Sequence, residues 1–155
     1  MIPEHAYSST TISTSAERLW TKRNLLIAVA VGVAAFAFYN FVLYNYYYGD
    51  PAHYQRYYDS LIGRDLIWAL RSQSDYLGSS EIIYPMVAWI GSNALIERYV
   101  FMAAIDGAMY AVIYNTLRIH RCHPVFIALF LTNFYLIVLA TSAERLKFSY
   151  IFLFL

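Results

Sequence analysis

Few side chains in this protein carry a charge, so the places where they stand are informative. Ten acidic and eleven basic residues are spread over 155 positions. Among those in or near strongly apolar stretches are Asp50, Glu81, Asp106, Arg145 and Lys147. A carboxylate in such a place can take up the proton of a weak nucleophile such as a hydroxyl. A guanidinium offers a planar fork of donors that meets two phosphate oxygens at once. Each residue also has a simpler reading. Asp50 before Pro51 has the N-cap and N1 pattern of a helix start, and Glu81 can be an interfacial cap. Arg145 and Lys147 can merely flank a membrane helix. Asp106 is costly in mid-bilayer and must face protein or water, where a hydrogen bond inside a bundle suits it better than catalysis. "HRCH" (120–123) holds two imidazoles and a thiol but has no partner cluster elsewhere in the sequence, so neither a metal nor another cofactor is expected. His53 reads as a surface residue that could at most assist proton transfer.

The elements that must hold these groups are read from composition and hydropathy. The chain is 60% hydrophobic and 14% charged, with a mean hydropathy of +0.45. A soluble domain is nearer 45–50% apolar and about 25% charged, so this is the composition of a membrane protein. The net charge of +1 leaves no basic stripe for nucleic acid. The lone Cys122 excludes an internal disulfide framework. Residues 1–24 form a polar, Ser- and Thr-rich tail ending near Lys22–Arg23, which the positive-inside rule puts in the cytoplasm. Residues 25–43 carry no charge and come close to the roughly 20 residues that cross the hydrocarbon. Tyr44 and Tyr46–Tyr48 then read as an interfacial belt, opening an external loop over about 44–80.

Three further apolar stretches follow in the membrane domain, 25–155. Residues 82–96 are short and broken by Pro85 and Gly91, which predicts an interfacial or re-entrant segment. Residues 99–117 can span, and 125–140 are short but strongly apolar. The chain then enters "FSYIFLFL" (148–155), about 12 Å of helix, so the expectation is the front part of a longer polytopic protein. Within the loop, 51–71 can be helical. Tyr54, Tyr57, Tyr58, Leu61, Ile62 and Trp68 recur at steps of three and four, which predicts an amphipathic helix with its aromatic face on the membrane and Arg56, Asp59, Arg64 and Asp65 toward water. "TSAERL" occurs at 14–19 and 141–146, but the flanks differ and no repeat follows.

Taken in order, these stretches resemble the EpsG family, the Wzy-like polymerases of bacterial exopolysaccharide and O-antigen. "GDPAHYQRYY" is similar to the G-x-D-x-x-x-Y stretch after the family's first membrane helix. "EIIYPMVAWIGS" resembles its next element, a Glu opening a short apolar helix. "NFYLIVLATSAERLKFSYIFLFL" resembles its helix, polar turn, Arg and helix, with "ERL" where commoner members read "IRQ". The resemblance implies an all-α, polytopic membrane bundle of the GT-C-like kind in the bacterial inner membrane. It implies glycosyl transfer at the outer face, from a glycan on polyprenyl pyrophosphate to the next lipid-linked oligosaccharide. Asp50 and Glu81 would be the catalytic carboxylates, Arg145 and Lys147 would hold the pyrophosphate, and Tyr54 and Arg56 would belong to the substrate loop. The partners implied are the bilayer, the lipid-linked oligosaccharide and other polysaccharide assembly proteins. A non-enzymatic transporter or flippase fragment, or an assembly partner, is the alternative, and Asp106 is the feature that favours it.

Overall fold

A computed structural model describes residues 22–46, 49–78, 81–141, 146–148 and 151. The described chain is all-α, with no strand among these residues. Its helices are α1 (Lys22–Asn45), α2 (Asp50–Ser60), α3 (Leu66–Leu77), α4 (Ile83–Asn93), α5 (Arg98–Ile119), α6 (Pro124–Leu131) and α7 (Phe134–Thr141).

Among the described residues two helices are long and apolar enough to cross a membrane: Arg23–Asn45 within α1, and α5. They pair antiparallel, the end of α1 lying beside the start of α5, where the rings of Tyr44 and Tyr99 stand 5.3 Å apart. Small residues permit the approach. A Cβ on Gly32 would meet the Gly107 carbonyl oxygen at 2.9 Å, and only hydrogen stands there instead. Helices in lipid gain little from burying apolar surface against one another, so close backbone packing through such residues is a main source of their cohesion. The outward side of α1 stays apolar, with Leu26 69%, Val33 60% and Phe41 70% exposed. That face is ordinary against hydrocarbon and would be a large apolar patch against water.

Because α1 and α5 run antiparallel, everything between them returns to one end of the pair. α2, α3 and α4 form a cap there. α4 has 11 residues, about 16 Å of helix, and its C-terminal side chains bond to the end of α2 and the turn after it.

Two expectations are corrected here. The stretch 51–71 is not one helix. It breaks at 61–65, where Gly63 takes φ 71° and the Asp65 carboxylate accepts the Trp68 N–H at 2.6 Å to start α3. A carboxylate that satisfies an orphan helix donor competes with continuation of the preceding helix. The aromatic face also turns inward. Tyr54, Tyr57, Tyr58 and Leu61 are 6%, 0%, 3% and 0% exposed, packed against neighbouring helices, while Arg56, Asp59, Arg64 and Asp65 face outward as expected. The period located the stripe over 54–61, which a partner helix covers where lipid was expected. Ile62, however, is 53% exposed and Trp68 only half-buried, because the helix has ended before them.

The apolar stretch 125–140 is likewise divided. α6 and α7 meet at a 44° bend and are long enough for one broken span together. Thr132 donates its hydroxyl back to the Ala128 carbonyl at 2.8 Å, and the Asn133 side chain accepts the Tyr135 N–H at 2.9 Å, ending one helix and capping the next. On the α5–α6 connection, Arg121 has φ 57° and His123 Nδ1 accepts the Val125 N–H at 3.3 Å. "HRCH" is thus a helix-to-helix corner.

Candidate functional site: an aromatic cap with acidic helix starts

The first turns of α2 and α4 are brought together by tyrosines. Tyr54 and Tyr84 are 5.3 Å apart, edge to face. Tyr57 stacks on the same Tyr84 ring at 6.2 Å and meets Tyr76 of α3 at 5.8 Å. Phe148 closes the cluster, 6.2 Å from Tyr84. Aromatic pairs at such distances add about 0.5–1.5 kcal/mol each beyond their buried area. Their polar handles are tied as well. The Tyr57 hydroxyl donates to the Ala69 carbonyl at 2.7 Å, and the Tyr58 hydroxyl donates to the Ile96 carbonyl at 2.9 Å. Burial pushes the Tyr57 phenol up to about 12. The Tyr58 phenol is also raised by burial, against the opposing pull of the Arg98 guanidinium. Both remain neutral donors at physiological pH.

A second set of bonds fixes the far side of the cap. The Ser92 hydroxyl donates to the Tyr58 carbonyl at 2.8 Å. Asn93 accepts the Gly63 N–H at 3.0 Å and donates to the Leu61 carbonyl at 3.1 Å. The Trp89 indole donates to the Arg64 carbonyl at 2.7 Å, while the Arg64 guanidinium lies 5.2 Å from the centre of the Trp68 ring. The buried guanidinium of Arg98, 2% exposed, donates to Gln55 at 2.8 Å, and Gln55 donates on to Asp59 at 2.8 Å. A guanidinium can be buried at this depth only with such acceptors around it.

On this frame the expected site residues fall as follows. Asp50 is the first residue of α2, with Gly49 in the N-cap position at φ 74°, so the cap expected of Asp50 is displaced by one residue. Glu81 is exposed just ahead of α4. Its N–H donates to the buried Gln73 side chain at 2.9 Å, which fixes where α4 begins. Tyr54 is part of the buried wall, and Arg56 is exposed with Nε on its own Ala52 carbonyl at 3.3 Å. Arg145 lies outside the described residues. Lys147 turns inward from the place expected of it. Its ammonium stands 2.8 Å from the Asp106 carboxylate, both side chains fully buried, and donates to the Ala140 carbonyl at 3.0 Å. Among the described residues no three His, Cys, Asp or Glu side chains converge on a possible metal position.

Tyr84, Gln73, Arg98 and Phe148 are the residues that sequence reasoning passed over. Tyr84 stands on a short apolar helix where the ring carries no periodic signal of its own, and the other three act through partners distant in the chain. Below the cap, the hydroxyls of Tyr39 and Tyr110 are hydrogen-bonded across the α1–α5 interface. An apolar cavity of about 330 Å³ opens beside them, lined by Val31, Ala35, Phe38, Leu131 and Ile137 among others.

Among the described residues the architecture is that of a helical membrane protein: two helices long and apolar enough to span, one bent pair that is so only when its halves are taken together, and a helical cap on one end. No protein-family model, curated protein or solved structure matches the chain.

Proposed function

We propose that this chain belongs to a polymerase of lipid-linked oligosaccharide repeat units, acting in exopolysaccharide or O-antigen assembly at the outer face of the bacterial inner membrane. The N-terminus is cytoplasmic in this reading, the α2–α4 cap is external, and the bundle is of the GT-C-like kind. The observation that carries it is the Tyr54–Tyr84 contact. It gathers the starts of α2 and α4, and with them Asp50 and Glu81, at the same end of the spanning pair. Phe148, three residues after Arg145 in sequence, packs on the same Tyr84 ring.

In the reaction, a hydroxyl oxygen of the acceptor sugar forms a bond to the anomeric carbon of the donor glycan. The bond from that carbon to the pyrophosphate oxygen breaks and leaves its electron pair on the pyrophosphate. Asp50 takes the hydroxyl proton, with Glu81 as the second carboxylate of the site. The Arg145 guanidinium meets the charge that gathers on the leaving pyrophosphate. Arg56, exposed on the outer side of α2, borders the acceptor, and the buried ring of Tyr54 holds the start of α2 in place behind it.

The test is Asp50→Asn in the whole protein in cells. The carboxamide keeps the size of the side chain and removes the proton acceptor, so polymer should disappear at unchanged protein abundance. Polymer of normal length from Asp50→Asn would remove this residue from the chemistry, and Glu81→Gln is then the deciding variant. Normal polymer from both would leave the transporter alternative, which draws on the buried Asp106.

A further inference from the structure

The ion pair between α5 and the 146–148 segment has no duty in the reaction above, yet burying two charges is costly. Asp106 and Lys147 are both at 0% exposure, 2.8 Å apart. Either charge alone would be strongly disfavoured among apolar side chains, and pairing is what lets both remain. The pair is also directional. Lys147 Nζ donates to the Ala140 carbonyl at the end of α7, where the last carbonyls of a helix attract a cation. One ammonium therefore ties three elements: α5 through Asp106, α7 through Ala140, and the segment that carries Lys147 itself. The next residue, Phe148, is the one that packs on Tyr84, and Tyr84 holds Tyr54 and Tyr57.

We infer that Asp106 and Lys147 are positioning residues, whose ion pair sets the register of the 146–148 segment so that Phe148 closes the aromatic wall of the cap. The inference rests on the polymerase reading only for what the wall serves; the placement is a property of the fold. An apolar contact alone specifies register weakly, because neighbouring apolar residues can substitute for one another. An ion pair is position-specific, and a shift of one residue would carry the Lys147 ammonium away from both the Asp106 carboxylate and the Ala140 carbonyl.

The placement can be read without any activity. In a Cys122→Ser background, cysteines at Tyr84 and Phe148, whose native rings stand 6.2 Å apart, should be joined in membranes by a short bifunctional maleimide cross-linker. Asp106→Asn should cut the yield at least five-fold, and the exchange Asp106→Lys with Lys147→Asp should restore more than half of it. If Asp106→Asn fails to accumulate, the neutral double variant Asp106→Asn with Lys147→Met removes the buried charge and replaces it in the measurement. The expected result there is again a low yield. An undiminished yield in either neutralised variant would overturn the inference, because the segment would then be placed by packing alone. Polymer length, compared at equal protein abundance without the added cysteines, should fall with Asp106→Asn and recover with the exchange. Loss of cross-linking with polymer unchanged would leave the positioning role standing and count against the polymerase reading.

Discussion

Gly32 and Gly107 face one another where α1 and α5 cross, and a Cβ built on Gly107 would stand 2.7 Å from the Gly32 carbonyl oxygen. That atom is backbone and cannot swing aside. Gly107→Val should therefore force the helices apart, with a cost on the order of 1–3 kcal/mol from overpacking and additional loss of the close contacts that hold helices together in lipid. The readout is protein abundance and the thermal midpoint in detergent. A midpoint unchanged for Gly107→Val would show that the two helices do not approach so closely.

The polar bridge from α4 to the 61–65 turn should be separable from the rest of the cap. Asn93→Ala removes the acceptor for the Gly63 N–H and the donor to the Leu61 carbonyl, a loss of about 1–3 kcal/mol if each bond contributes a typical amount. Amide hydrogen exchange at residues 61–65 should quicken accordingly, while α1 and α5 stay protected. Equal quickening throughout would mean that the cap and the spanning pair open as one unit.

The cap should loosen at alkaline pH. The Tyr57 phenol ionises near 10 in the unfolded chain and is pushed up to about 12 by burial. Stability from keeping it neutral is complete below about pH 10 and is lost as pH rises through 12. Tyr58 moves in the same direction. Near-ultraviolet absorbance should thus show late phenol ionisation accompanied by loss of cap protection, and Tyr57→Phe should flatten that loss over the same window. A Tyr57→Phe profile identical to the parent would assign the alkaline transition to other tyrosines.

Antiparallel α1 and α5 predict which positions share a side of the membrane. In a Cys122→Ser background, Ser74→Cys and Glu97→Cys should react with a membrane-impermeant thiol reagent in intact cells, and His120→Cys only after permeabilisation. The reverse pattern would keep the fold and invert its orientation. Labelling of Ser74 without Glu97 would place α4 across the bilayer.

Arg145 offers the sharpest chemical test of the proposed reaction. Lysine preserves the charge but lacks the planar fork that grips two phosphate oxygens. Arg145→Lys should retain abundance and lose most polymer, and Arg145→Ala nearly all of it, measured as ladder length on a gel against a blot for protein. A full ladder from Arg145→Ala at normal abundance would end the pyrophosphate assignment.

The sequence by itself determined the class of the protein and its two spanning helices. Nineteen uncharged residues over 25–43 have few places to go except hydrocarbon, and an all-helical chain follows because only helices or closed barrels satisfy their own backbone there. It also marked the tyrosine stripe of 54–61, since helical period survives without any knowledge of the partner. What covers that stripe was decided by the tertiary structure. Period reports that a face is apolar, and both lipid and Tyr84 satisfy it. The break at 61–65 was likewise hidden, because Asp65 looks like a solvent charge until its carboxylate accepts the Trp68 N–H. The fate of Lys147 was least legible of all. Its place beside Arg145 suggested a phosphate neighbour, but a charge in an apolar interior goes to the nearest opposite charge, and only the folding of α5 against the 146–148 segment brings Asp106 within 2.8 Å.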